Sequence, residues 1–156
     1  MPNDNTLAIS NDGLMIAGIN SSYIIYDQYN DSILKRATLN SLTFSFNQLL
    51  FVKKYDPKFI YDPNEDRFIM VFLVGNNPIN NHICVAFSSS NNPLDDWNVY
   101  MLTGDALGTD HWTDYPAISL TNDELFITGN LLQHNVSWQE GFYQSLIWQI
   151  DKTQGY

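Results

Sequence analysis

The chain reads as all-β on three observations. Short runs rich in Phe, Ile, Val and Tyr alternate with clusters of Asn, Asp, Ser, Gly and Pro, which suits pleated strands and turns better than helices. Some runs are apolar at every position, as in F-I-M-V-F-L-V at 68–74, so both faces of those strands need cover. The pattern also repeats. Ala8-Ile9-Ser10, Asn11-Asp12 and Leu14 to Gly18 match Ala117-Ile118-Ser119, Asn122-Asp123 and Leu125 to Gly129. A four-strand unit recurring every 50–60 residues or so is the mark of radially repeated sheets. The predicted fold is a β-propeller segment of about three four-stranded antiparallel blades. The ring is incomplete, because propellers close with roughly four to eight. A sandwich would accommodate the strands but not their repetition.

The blades fall at about 6–37, 56–102 and 115–150 of one 156-residue unit. In the first, Asn11-Asp12-Gly13 is a hairpin signal, because Gly13 tolerates positive φ. Strands follow at 23–27 and 33–37. Residues 38–55 are expected to form a long connection with its own extended piece. The second blade is the clearest, with strands at 57–62, 67–74, 82–88 and 97–102 separated by Asp-Pro and Asn-Asn-Pro turns. Residues 103–114 connect to the third blade, with strands at 115–120, 125–131 and 142–150. Its outer strand is missing, which leaves eleven strands. Pro57 and Pro116 are expected at strand starts, where no ladder donor is needed.

Composition narrows the function. Net charge is −10 with seven basic residues, which argues against nucleic acid, whose phosphates need clustered Lys and Arg. No apolar run is long enough to span a bilayer. The lone Cys84 lies mid-strand and reads as a small buried residue. An acidic, amide-rich surface suits an extracellular or cell-surface protein that meets a carbohydrate, a protein or a cation.

Propeller topology sorts the loops. The tight 1–2 turns (11–13, 63–66, 122–124) belong to one end, and the longer segments 38–55, 75–81, 103–114 and 132–141 mostly to the other. Long polar loops on a rigid scaffold are where function concentrates. The expected glycan- or protein-binding set is Asn77, Asp110, His111, Trp112, Asp114, Tyr115 and Trp138, with the rings stacking on sugars and the polar groups meeting hydroxyls. Asp105, Asp110 and Asp114 are candidate Ca²⁺ ligands, because hard cations take oxygen donors. No other cofactor is implied. Asp62-x-Asn64-x-Asp66 has calcium-loop spacing but reads as a plain hairpin turn.

Two resemblances sharpen this. D-P-K-F-I-Y-D-P-N-E-D-R-F at 56–68, V-A-F-S-S-S-N-N-P-L-D-D-W at 85–97 and T-D-Y-P-A-I-S at 113–119 resemble repeats of bacterial secreted and cell-surface propellers of the sialidase-like kind. Residues 88–97 look like a degenerate Asp-box, with Ser88 and Trp97 in the end roles and the Asp displaced to Asp95 or Asp96. The second resemblance is to five-bladed glycosidases acting on arabinan or xylan, through Asp56-Pro57 and the segment Ala86 to Trp97. It implies paired catalytic carboxylates, with Asp56 and Asp114 at successive inner-strand starts. No Glu occupies a third equivalent position, and the sialidase arginine triad has no counterpart. The expectation is therefore a non-enzymatic scaffold or recognition module of a surface-displayed protein, partnered by the rest of a ring or a second copy. A propeller glycoside hydrolase is the alternative.

Overall fold

The computed structural model describes residues 4–156. Three antiparallel sheets follow one another along the chain. The first blade is β1 (Thr6–Ile9), β2 (Leu14–Ile19), β3 (Ser22–Asp27) and β4 (Ser32–Thr38). The second is β5 (Lys54–Asp62), β6 (Arg67–Val74), β7 (His82–Ser88) and β8 (Trp97–Thr103). The third has three strands, β9 (His111–Leu120), β10 (Glu124–Gln133) and β11 (Phe142–Asp151). Each sheet is a simple meander, and the inner strands β1, β5 and β9 lie side by side. This is a propeller segment with an incomplete ring, as the repeat predicts.

The second blade is held from both sides. Alternate residues of β6 point to opposite faces. Phe68, Met70, Phe72 and Val74 enter a core shared with the first blade, where Ile16, Tyr23 and Ile25 wait. Ile69, Val71 and Leu73 enter a second core with Leu125 and Ile127 of the third blade. β7 divides the same way, with Cys84 and Ala86 on one side and Ile83, Val85 and Phe87 on the other. Cys84 is fully buried, and burial pushes its thiol up to about 12. On the outer blades, Leu7 and Ile9 of β1 and Ile147 of β11 stay exposed.

Several expectations need correction. Residues 39–53 have no extended piece; they make two short 3-10 turns, Leu39–Leu42 and Asn47–Leu49. The turns let Leu39 and Leu49 drop into the first core. Residues 138–141 form one helical turn, α1 (Trp138–Gly141). Pro57 and Pro116 sit inside longer strands, at breaks in the ladder. A bulge asks no donor of them, just as a strand start would not.

The tight turns gather at one end. Asn91 donates to Asp12 and Asp66, and Asn64 donates to Asn122 of the third blade. The Asp62 carboxylate has its partners within the protein. It accepts from the Asn64 amide at 3.0 Å, the Tyr156 hydroxyl at 2.6 Å and the buried Lys152 ammonium. Burial pushes its carboxyl up, but the Lys152 and Tyr156 hydrogen bonds outweigh that and hold it below the ordinary range.

Removing one partner of a buried ion pair strands the other. Lys152→Met is expected to cost about 3–5 kcal/mol in urea unfolding at neutral pH. A lowered carboxyl stabilises the fold above its ordinary pKa of 3.8 and loses that contribution as pH falls through its folded value. The difference between variant and parent is therefore expected to shrink in acid.

Candidate functional site

Opposite the tight turns, β5 and β9 each carry a bulge near their start. The β5–β6 register breaks between Tyr55 and Lys58, and the β9–β10 register breaks between Asp114 and Ala117. Asp56 (φ 51°) and Tyr115 (φ 57°) occupy the left-handed region at these breaks. Side chains pay strain there, and such positions concentrate at working sites.

Around the bulges lies an acidic cluster. Burial raises the Asp56 carboxyl, and the charge of Asp4 adds to it, while Lys58 and Lys53 oppose. Burial also raises Asp114; its bond from the Tyr115 amide and the charge of Lys53 lower it, and Asp56 and Asp4 push it up. The Asp56 charge thus reaches Asp114 across adjacent inner strands. Between them Tyr55 is buried and donates to the Gly75 carbonyl at 2.9 Å. Burial, then Asp114 and Asp56, raise its phenol well beyond the usual range. The Lys53 ammonium stands 4.9 Å above the Tyr55 ring, a cation–π contact that keeps a positive charge beside both acids. Gly75 closes the neighbouring turn at φ 75°, and a Cβ there would lie 1.2 Å from the Asn80 carbonyl oxygen.

The other expected residues divide. Asn77 is spent as a cap, accepting from the Ile79 and Asn80 amides at 3.1 and 3.0 Å. Asp105 holds its own loop, accepting from Thr109 and from the Asp110 amide. Asp110 takes a left-handed turn there, φ 61°. The calcium set Asp105, Asp110 and Asp114 does not converge: among the described residues no three His, Cys, Asp or Glu side chains are placed to hold a metal ion. His111 stacks on Tyr143 at 4.4 Å, and its Nδ1 lies 2.7 Å from the Thr109 carbonyl oxygen. Trp112 packs against the second core, so much of its ring is committed between blades. Tyr115 and Trp138 are 70% and 68% exposed, free to meet a ligand.

Three residues of the cluster escaped sequence reasoning: Asp4, Lys53 and Tyr55. Asp4 had a signal, since an Asp near the inner-strand start recurs in all three blades, as Asp4, Asp56 and Asp114. Lys53 and Tyr55 had none, because only the folded bulge brings them beside the acids.

No family model matches the sequence, and no curated protein matches it. Among solved structures the chain is similar to a GH43 endo-arabinanase from Bacillus licheniformis, with a TM-score of 0.54 and 13% identity over 98% of this chain. The likeness is one of fold. The match spans 55% of that chain's length, so this chain corresponds to about half of it.

A carboxyl raised by burial favours folding in its protonated form. The penalty is absent below the ordinary pKa of 3.8 and grows as pH rises through the raised folded value. Asp56→Asn and Asp114→Asn are therefore each expected to melt at a higher temperature than the parent at pH 7. The advantage should vanish below pH 3.8 in a pH series of thermal melts.

Proposed function

We propose that this chain forms part of a propeller glycoside hydrolase whose paired carboxylates are Asp56 and Asp114. The observation that carries the reading is the pair itself: two carboxyls at equivalent places on neighbouring inner strands, both raised by burial and each raised further by acidic neighbours. Glycosidic cleavage asks for one acid and one base, and burial that raises a carboxyl favours the acid role. Lys53 opposes the rise in both. The exposed Tyr115 ring, next to Asp114, offers a stacking surface for a sugar. The likeness to an endo-arabinanase makes a pentose polymer the first substrate to try. The Ser90–Asp95 bond across the 88–97 turn (2.5 Å), with Trp97 packed toward the first core, supports the degenerate Asp-box reading. An extracellular location goes with such a substrate. Further blades, from the same polypeptide or a second copy, would cover Leu7 and Ile147.

A second reading is the recognition module without turnover. Tyr115 and Trp138 favour it, because exposed rings serve binding as well as catalysis.

Turnover of arabinan, xylan and aryl pentosides by the full-length protein separates the two. The hydrolase reading expects kcat to fall by about 10²–10⁴ in Asp56→Asn and in Asp114→Asn. Saccharide binding without turnover in the parent would overturn it in favour of the module. In that case Trp138→Ala is expected to weaken binding, while the two Asn variants leave it intact.

A further inference from the structure

The molecule holds two buried lysines, and they are provided for differently. Lys152 is fully buried and meets the Asp62 carboxylate. Lys54 is 3% exposed, and its ammonium donates to the Leu49 carbonyl. An ammonium carries three donors, and Leu49 is the only acceptor that the described residues give it. Among those residues Lys54 has no carboxylate partner. Cys84 lies within electrostatic reach, and burial pushes its thiol up to about 12. A buried cation without a counter-charge is costly, and burial accordingly loosens the hold of Lys54 on its proton.

Lys54 also lines a cleft of about 340 Å³ at the crossover between the first and second blades. Its other walls are Ser21, Thr38, Asn40, Leu50, Phe51, Val52 and Lys53. Two of the seven basic residues of a chain with net charge −10 thus line one cavity, while the Lys53 ammonium itself stands over Tyr55. Ser21, Thr38 and Asn40 are exposed and bring hydroxyl and amide groups to it. Phe51 is fully exposed at the rim, an unusual place for a ring that covers nothing of the fold. Lys53 belongs to this cleft and to the acidic cluster alike, so the two adjoin.

We infer that this cleft is a subsite for the carboxylate of a uronic-acid residue, with Lys54 as the cationic partner, Asn40 and Thr38 hydrogen-bonding the sugar, and Phe51 stacked on its face. The inference rests on the hydrolase reading only for the site's place beside the cleavage centre. Under that reading, the pentose polymer would be one that carries uronic-acid residues. A carboxylate would give the Lys54 ammonium what Asp62 gives Lys152.

Calorimetric titration of the full-length protein at low salt tests this without any turnover. The ligands are oligogalacturonate, a neutral arabino-oligosaccharide and inorganic phosphate alone. Oligogalacturonate is expected to bind most tightly and to weaken as salt is added. Lys54→Met should weaken it about 10- to 100-fold, the span of one charge-assisted hydrogen bond. Phe51→Ala, at a side chain the fold does not use, should weaken it as well. Neither substitution should alter binding of the neutral oligosaccharide. Should Lys54→Met fail to fold, Phe51→Ala and Asn40→Ala carry the test. The site is overturned if acidic and neutral oligosaccharides bind alike, or if these variants leave oligogalacturonate binding unchanged. Phosphate binding as tightly as oligogalacturonate would overturn the sugar assignment. Failure of hydrolysis with oligogalacturonate binding intact would remove the enzyme and leave the subsite standing.

Discussion

The structure depends on the second blade being apolar on both faces. β6 and β7 contain no polar residue between Phe68 and Val74 or between Ile83 and Phe87, so neither face of this sheet can meet water without large cost. The first and third blades supply the covers, each addressing one parity of the same strands. Inner strands β1, β5 and β9 are thereby brought alongside one another, and the starts of those strands meet at one end. The acidic cluster is a by-product of that convergence: side chains distant in sequence share an axis because the sheets between them have nowhere else to pack.

Much of the fold was legible because its signals are local. Strand periodicity, Asn-Asp-Gly and Asn-Asn-Pro turns, and the match between 8–18 and 117–129 located nearly every strand to within a few residues. The failures came where tertiary packing decides. Residues 39–53 look extended by composition, yet Leu39 and Leu49 each need a core, and short turns deliver them. The ends of β5 and β9 were misread because proline suggests a boundary, while here it marks a bulge.

The site was partly legible. Asp56 and Asp114 came from the glycosidase resemblance at successive inner-strand starts. Trp112 and Asn77 did not serve as their side-chain types suggest, because an inter-blade core and a turn use them first. Asp105 looked like a cation ligand but is consumed by three loop donors. Residue type shows what a side chain is able to do; competition from nearby backbone groups decides whether it is free to do so. Lys54 is the converse case, an unremarkable strand-start lysine whose singularity comes entirely from burial.

The tie between Lys152 and Asp62 spans 90 positions of sequence. On a ribosome, the Asp62 hairpin emerges long before the cation and the Tyr156 hydroxyl that satisfy it. Until then its carboxylate has water and the Asn64 amide as partners. The Asp62 corner of the second blade therefore gains its full set of partners only once residues far downstream are in place.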